Sequence, residues 1–298
     1  MELSAAADGF LGLTGEYEKK GQEMEKRALI IPFGMEASVT YGHGTARGPE
    51  AILTASREVE TFDCELWLEP CDHFGVFTRQ PSPIPEDPSE ALTSLQHQVE
   101  QALTDHFFPL ILGGEHGLTP GAIRPLVARD PNLCLVHFDA HADLRDGYLG
   151  QHYSHASAMR RCLDHPGVEL VSLGIRNISR LEARWVDENP ARVSIFWAHD
   201  KNNWSMDRIR NLVAGKRVYL SFDVDAFDSS LMPATGTPEP GGLFWDDVMP
   251  ILRMVMEHSH VLGADITELA PMAGLHSCDF LAARLAYKIL SYRFIAGL

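Results

Sequence analysis

Short apolar runs rich in β-branched residues recur along this sequence, separated by amphipathic segments of helical length. This alternation is typical of a parallel β-sheet whose strands are buried on both faces and joined by helices. Seven predicted strands lie at 28–33, 109–112, 133–138, 169–173, 193–197, 218–222 and 261–266, and an eighth lies within 64–77. Predicted helices lie at 89–104, 205–213, 245–257 and 278–295. An open doubly wound sheet and a closed barrel share this pattern, so it leaves the choice between them open.

The strand–helix units fill most of the 298 residues, which favours one domain. We expect a single domain over 28–298, preceded by a polar N-terminal extension over 1–27. The five scattered cysteines contain no Cys-x-x-Cys pattern, and the N-terminus has no basic, apolar leader. Both features predict a reduced, cytoplasmic protein.

Net charge constrains the partners of this chain. Lysine and arginine number 25 and aspartate and glutamate 41, which gives a net charge of −16. Such a surface repels the phosphates of nucleic acids and anionic lipids, and it attracts small cations. The sequence has no uncharged apolar run of about 18 residues, so we expect no transmembrane helix. The expected partner is a small molecule, with no nucleic acid and no membrane.

Histidine and aspartate residues gather just after three of the predicted strands. They are His116, after a pair of glycines; Asp139, His141 and Asp143; and Asp223 and Asp225. Residues two apart share one face of a strand, so each aspartate-rich group would do so if its strand continued. Open α/β sheets bind ligands beyond the carboxyl ends of their strands, which is where all three groups fall.

A single aspartate at a strand end is usually a turn or capping residue. Four aspartates at one edge of a sheet would repel each other and raise their own pKa values unless cations neutralise them. Imidazole and carboxylate ligands without cysteine suit hard or borderline ions such as Mn²⁺ better than structural Zn²⁺. These residues therefore predict a dinuclear metal site.

Four motifs resemble those of the ureohydrolases, the family of arginases and agmatinases. They are Gly-Gly-Glu-His at 113–116, Asp-Ala-His-Ala-Asp at 139–143, Ser-Phe-Asp-Val-Asp-Ala-Phe-Asp at 221–228 and Gly-Thr-Pro-Glu-Pro-Gly-Gly at 236–242. The resemblance runs from about residue 32 to the C-terminus, and segments 41–52 and 153–161 look most like bacterial agmatinases. It implies a three-layer α/β/α sandwich on an eight-stranded, mostly parallel sheet.

The resemblance also implies two Mn²⁺ ions per subunit. The first would be held by His116, Asp139, Asp143 and Asp223, and the second by Asp139, His141, Asp223 and Asp225. One departure from the family pattern is Glu115-His116-Gly117, where many relatives have Asp-His-Ser. Glu115 is not a ligand in this interpretation, so the assignment of ligands is unchanged.

Two further residues match family positions with a role in the reaction. Glu268 matches the carboxylate that grips the substrate guanidinium, and His155 is the candidate proton shuttle because imidazole titrates near neutral pH. The alternatives are a surface carboxylate at a strand end for Glu268 and an exposed residue in the first turn of a helix for His155.

Several residues are weaker candidates. His137 is either a neighbour of the ligands or a core histidine, and Arg176, Thr235 and Glu239 are candidates for the pocket wall. Another group lies in a glycine-rich loop: His43 and Arg47, before Pro49, which is predicted to begin a helix.

The function implied is hydrolysis of agmatine to putrescine and urea by a homotrimer or homohexamer. Alternatives are the same reaction on arginine, guanidinobutyrate or guanidinopropionate, a single-metal deacetylase, and an inactive binding protein. The complete set of six ligands argues against the last two. The loop at 144–154 distinguishes the substrates, because a carboxylate-bearing one needs a donor such as Arg145, whose charge Asp146 could cancel. The expected partner is a small cationic guanidino substrate.

Overall fold

All eight strands of the computed structural model, which describes residues 1–295, belong to one parallel sheet. They are β1 Arg27–Phe33, β2 Gly75–Thr78, β3 Phe108–Gly113, β4 Leu133–Phe138, β5 Val168–Ile175, β6 Val193–Trp197, β7 Arg217–Asp223 and β8 His260–Thr267. Their order is β2-β1-β3-β8-β7-β4-β5-β6, with every adjacent pair parallel. The seven strands placed from sequence and the eighth within 64–77 are confirmed, and the sheet is open, with β2 and β6 at its edges.

Helices cover both faces of this sheet, which confirms the three-layer α/β/α architecture. They are α1 Glu16–Glu23, α2 Gly48–Ser56, α3 Pro88–Thr104, α4 Thr119–Arg129, α5 Ala158–Cys162, α6 Arg180–Glu188, α7 Met206–Val213, α8 Trp245–His258 and α9 His276–Ile295. One core lies under α2, α7, α8 and α9, and the other lies under α3 to α6. Alternate residues of β1 feed the two cores, with Ile30 in the first and Leu29 and Ile31 in the second.

Helix starts follow capping chemistry. Asp87 accepts the N–H of Glu90 at 3.0 Å and Pro88 opens α3. At the start of α6, Glu182 accepts the N–H of Ser179 at 2.8 Å and donates its own N–H to the Ser179 hydroxyl at 3.4 Å. This reciprocal pair is a capping box, and it fixes the Glu182 side chain beside the carboxyl end of the sheet. Helix α2 begins one residue before Pro49, the predicted start.

The segment before β1 packs against the β2 edge of the sheet. Phe10 and Leu11 are buried in the core, although the sequence of 1–27 is polar on average. The N–H of Phe10 donates to the Thr78 hydroxyl and the N–H of Leu11 to the Ser56 hydroxyl, each at 2.9 Å. This segment therefore contributes apolar side chains to the core, and the division at residue 27 stays a prediction.

Within residues 1–295, no helix combines the length and the apolar character that crossing a membrane requires. All five cysteines carry free thiols.

Candidate metal centre

Four neighbouring strands in the middle of the sheet bring the candidate residues together at their carboxyl ends. The strands lie in the order β3, β8, β7 and β4. His116 follows β3, Glu268 follows β8, Asp223 ends β7 and Asp139 follows β4. Residues separated by up to 152 positions in sequence therefore meet at one edge, as the binding rule for open α/β sheets predicts.

The aspartates after β4 and β7 do not converge by strand alternation, because neither strand continues. β4 ends at Phe138, and the following loop is turned by the N–H of His141, which donates to Asp139 Oδ1 at 2.6 Å. Asp143 adopts a left-handed backbone with φ of +52°, which is uncommon for a residue with a side chain. Asp225 lies in a 3₁₀ turn, Val224–Ala226, and accepts the N–H of Ala140 at 2.9 Å. Turns in the loops after β4 and β7, rather than the alternation of side chains along a strand, therefore bring these aspartates together.

Three carboxylates surround the Nδ1 atom of His116. Its distances to Asp139 Oδ2, Asp143 Oδ2 and Asp223 Oδ2 are 3.0, 3.0 and 3.4 Å. All four side chains are almost completely buried, and Nδ1 has no hydrogen-bond partner. A buried nitrogen that faces three carboxylate oxygens fits a cation placed among them.

Hydrogen bonds behind His116 fix which of its ring nitrogens carries the proton. The hydroxyl of Ser221 donates to Asp265 Oδ1 at 2.7 Å, so it accepts from Nε2–H of His116 at 2.8 Å. Tyr219 and Thr119 donate to the other oxygen of Asp265 at 2.8 and 2.9 Å. Nε2 therefore carries a proton, which leaves Nδ1, the nitrogen that faces the carboxylates, as the atom that would bind a metal ion. The sequence analysis did not identify Ser221 or Asp265 as site residues, although Ser221 is the first residue of the motif at 221–228.

A second group lies beside the first. His141 Nδ1 lies 2.9 Å from Asp225 Oδ2 and 3.6 Å from Asp139 Oδ1. Asp139 thus turns one carboxylate oxygen toward each group and belongs to both sets of potential ligands. The imidazole nitrogens and carboxylate oxygens of both groups are ligands that suit divalent cations.

The pKa values of the clustered residues show that their negative charges repel each other and favour a nearby positive charge. Burial and the charge of Asp139 raise the pKa of Asp143 to about 6, and burial with the charges of Asp225 and Asp139 raises the pKa of Asp223 well above its usual value. Although burial opposes it, contact with Asp225 and Asp139 raises the pKa of His141 to about 12. A bound cation would take over this neutralising role.

His137 supports a ligand and is fully buried. Its Nε2 lies 2.7 Å from Asp139 Oδ2, and its Nδ1 lies 3.0 Å from the Ser172 hydroxyl. The weaker candidate His137 therefore orients Asp139 from below.

A cleft opens above the cluster. Seven of the eight candidate residues line it: His116, His141, Asp143, His155, Asp223, Asp225 and Glu268. Asp139 lies beneath them. Sequence reasoning missed Tyr41, Tyr148, Asn177 and Glu182 among the other lining residues. Two of these four residues could have been found from sequence. Asn177 follows the end of β5, and Glu182 is the third helical residue of a capping-box pattern.

Glu268 is held at the floor of the cleft by the backbone. The N–H of His116 donates to its Oε1 at 2.6 Å, and the residue has φ of +65°, a left-handed conformation. Burial, with the charges of Glu115 and Asp225, raises the pKa of Glu268 well above its usual value. A cationic ligand in the cleft would favour the ionised carboxylate.

His155 is half-buried and begins a 3₁₀ turn, His155–Ser157. Its Nδ1 lies 3.0 Å from the Ser38 hydroxyl oxygen, and its ring makes an edge contact with Tyr148. Burial and the charge of His141 lower the pKa of His155 to about 4. The ring is therefore neutral near pH 7.

Charged residues of the loops are paired differently from the sequence-based expectation. Asp146 pairs with Arg161 at 2.7 Å instead of cancelling its neighbour. Arg145 lines the cleft with its guanidinium 4.8 Å from the ring centroid of Tyr148, and its Nε lies 3.9 Å from Glu182 Oε2. Glu182, rather than Asp146, is therefore the carboxylate that opposes the charge of Arg145.

The remaining weak candidates lie outside the lining of the cleft. Arg176 donates to main-chain carbonyls, including those of Asp225 at 2.7 Å and Glu239 at 2.8 Å, so it braces loops. Glu239 accepts from the Asn177 amide at 2.5 Å and lies 3.9 Å from His141 Nε2. Thr235 is buried. The two loop residues are His43, paired with Glu36 at 3.4 Å, and Arg47, which borders another surface hollow.

Comparison with known proteins adds independent findings. A family profile described as "Arginase family" matches residues 26–291. An N(1)-aminopropylagmatine ureohydrolase of Synechocystis is 35% identical over 273 residues, covering 89% of this chain and 88% of that protein. An agmatinase of Bacillus subtilis is 30% identical, covering 83% and 85%. The crystal structure of an agmatine ureohydrolase of Thermoplasma volcanium superposes with a TM-score of 0.80 at 29% identity, covering 98% and 94%.

Proposed function

Because this chain belongs to the arginase family of hydrolases, we propose that it hydrolyses the guanidino group of agmatine, giving putrescine and urea, at a centre of two Mn²⁺ ions. The observation that carries the proposal is the buried cluster of histidines and aspartates beneath a cleft that also holds Glu268 and His155. The homotrimeric or homohexameric assembly and the cytoplasmic location expected from sequence belong to the same proposal.

The ligand residues fit such a centre. His116, Asp139, Asp143 and Asp223 would hold the first ion, and Asp139, His141, Asp223 and Asp225 the second. The orientation of Nδ1 in both histidines toward carboxylate oxygens supports this assignment. Bound metal ions would lower the pKa of a water molecule, so that hydroxide would be available as the nucleophile near neutral pH.

The other two residues would act on the substrate. Glu268 offers a buried carboxylate, oriented by the N–H of His116, that would bind the guanidinium by charge-assisted hydrogen bonds and hold it over the cluster. His155 is neutral near pH 7, so its Nε2 would first accept a proton from the attacking water and then pass that proton to the leaving amine.

The charges around the cleft support a substrate with a cationic rather than an anionic tail. Arg145 is the basic side chain that lines the cleft in the described part of the chain, and Glu182 lies beside it. A substrate carboxylate would have to compete with Glu182 for this arginine. Burying an unpaired polar group costs about 1–3 kcal/mol, and burying an unpaired charged group costs more. Free arginine, whose carboxylate would lack a partner, should therefore be a poor substrate.

A second candidate substrate is N(1)-aminopropylagmatine. It is favoured by the relatives of that name, which are 32% to 35% identical to this chain, whereas the agmatinases are 29% or 30% identical. Both substrates combine a guanidinium with an amine and lack a carboxylate, so both satisfy the charge argument.

The test is kcat/KM for urea release by the Mn²⁺-loaded protein from agmatine, N(1)-aminopropylagmatine, arginine and guanidinobutyrate. We expect one of the two amines to exceed arginine by on the order of 100-fold, equivalent to about 2.7 kcal/mol. Glu268→Gln is the matched control, since it should keep the metal and lose turnover. Equal rates on arginine and agmatine would refute the substrate assignment. Acetate release from an acetylated amine, with no urea from any guanidino compound, would instead support a deacetylase.

A further inference from the structure

A buried carboxylate, a hydroxyl and an imidazole form a continuous hydrogen-bonded row beside the cleft. Glu115 is fully buried, and its Oε1 lies 3.1 Å from the Ser38 hydroxyl oxygen. The same hydroxyl oxygen lies 3.0 Å from Nδ1 of His155. The three residues come from separate segments, since Ser38 is 77 positions from Glu115 and 117 from His155.

The direction of these hydrogen bonds follows from the number of protons. The N–H of Ala37 and the N–H of Ser38 donate to Glu115 Oε2 at 2.9 and 2.6 Å, and the Ser38 hydroxyl donates to Oε1. That hydroxyl has one proton, so it can only accept from the backbone N–H of His155 at 3.0 Å and from Nδ1. Nδ1 then carries the proton of the neutral imidazole, and Nε2 is left with its lone pair.

Gly117 makes room for this row. A Cβ atom at this position would lie 2.9 Å from Glu115 Oε1, 3.3 Å from the backbone nitrogen of His155 and 3.3 Å from the carbonyl carbon of Ser154. Real Cβ atoms essentially never approach to 2.9 Å, so a side chain here would force the Glu115 carboxylate to shift. The glycine and the long glutamate side chain are thus sterically matched, which gives the family departure Glu-His-Gly a physical reason.

We propose that Ser38 and Glu115 are positioning residues that hold His155 in its Nδ1–H tautomer, with the Nε2 lone pair free in the cleft to accept a proton. The inference rests on the proposed function for the role of His155 in turnover. Its geometric part, the tautomer and orientation of the ring, stands independently. The arrangement matches the Asp265–Ser221–His116 row behind the metal centre, where a serine between a carboxylate and an imidazole also sets a tautomer.

A double-mutant cycle separates this role from a structural one. Ser38→Ala keeps the backbone contacts with Glu115 and should lower kcat about 10- to 100-fold, with a much smaller change in KM. Ser38→Thr retains the hydroxyl and should recover most of the rate. In a His155→Ala background, Ser38→Ala should cost nothing further, because the group it positions is absent. Equal losses in both backgrounds, with unchanged metal content and melting temperature, would overturn the proposal.

A second measurement does not depend on activity. Nitrogen NMR of the full-length protein, labelled at histidine, kept at pH 8 and free of paramagnetic ions, reports the tautomer of His155, assigned by its loss in His155→Asn. We expect the Nδ1–H form in the wild type and loss of that preference in Ser38→Ala. An Nε2–H tautomer in the wild type would refute the positioning role. The expected tautomer in a protein that releases no urea from any guanidino compound would leave the positioning intact and refute the proposed function alone.

Discussion

The hydroxyl oxygen of Ser221 lies 2.8 Å from Nε2 of His116, and this contact turns Nδ1 of the same ring toward three carboxylates. Removing the hydroxyl leaves Nε2–H unpaired in a buried site and frees the ring to adopt the other tautomer. We therefore expect Ser221→Ala to weaken Mn²⁺ binding about 10- to 100-fold, as measured by titration of the metal-free protein.

Ser291→Ala is the control for that change, since Ser291 is a fully buried serine whose hydroxyl bonds the carbonyl of Tyr287 in α9. If the two variants bound Mn²⁺ equally well, the orienting role of Ser221 would be wrong.

Gly117→Ala should disturb the row from Glu115 to His155 without changing either residue. The added methyl would lie within 3 Å of Glu115 Oε1, so the carboxylate would have to shift from its place in the row. We expect kcat to fall about tenfold with an unchanged metal content. Shortening the acid in the double variant Gly117→Ala/Glu115→Asp should recover part of the rate, because the clash is relieved. A Gly117→Ala enzyme of normal kcat would show that the fit between residues 115 and 117 has no bearing on turnover.

Glu182 should set the preference against carboxylate-bearing substrates by lying 3.9 Å from Arg145. Glu182→Gln can keep the helix cap, because glutamine serves at that position of a capping box, and it removes the competing charge. We expect the ratio of kcat/KM for agmatine over arginine to fall about tenfold, equivalent to about 1.4 kcal/mol. Adding Arg145→Ala should restore the ratio. No change in the ratio would place the discrimination elsewhere.

The Asp63–Lys288 ion pair should make stability depend on pH. Lys288 Nζ lies 2.7 Å from Asp63 Oδ2, and Asp63 is fully buried. Although burial acts in the opposite direction, hydrogen bonds and the charge of Lys288 lower the pKa of Asp63 below its usual value. A lowered pKa stabilises the folded state above the ordinary value near 4, and this contribution is lost as pH falls through the folded pKa.

Asp63→Asn should therefore cost roughly 3 kcal/mol of unfolding free energy at pH 7, measured with urea. The difference in unfolding free energy between Asp63→Asn and the wild type should become smaller as the pH falls toward about 3. Glu65→Gln is the matched control: its partner distance is similar, 2.8 Å, but its side chain is 38% exposed, so its loss should be smaller. A difference in unfolding free energy that does not change with pH would show that the ionisation of Asp63 is not coupled to stability.

Most of the fold could be predicted from the sequence because parallel strands buried on both faces read as continuous apolar runs. Strand β2 was located only within a wider range, since it has four residues, lies at an edge and is half exposed. Whether the sheet closes depends on the pairing of distant strands, which no local pattern reports.

The candidate site was predictable where its residues follow strand ends, as His116 and Asp223 do. Asp139, His141 and Asp143 were expected on one face only if their strand continued. Strand β4 ends at Phe138, so the loop that follows, rather than strand alternation, positions them. Ser38 carried no signal at all. Its role depends on contacts with residues 77 and 117 positions away, which only the folded chain brings together.

The two-metal centre is tested most directly by titrating the metal-free, full-length protein with Mn²⁺ while urea release from the best guanidino substrate is followed. Activity should rise to a plateau at two ions per chain. Asp225→Asn, which removes a ligand of the second position alone, should still bind one ion tightly and show little turnover. A plateau at one ion per chain, or full turnover in Asp225→Asn with one ion bound, would contradict the two-metal centre.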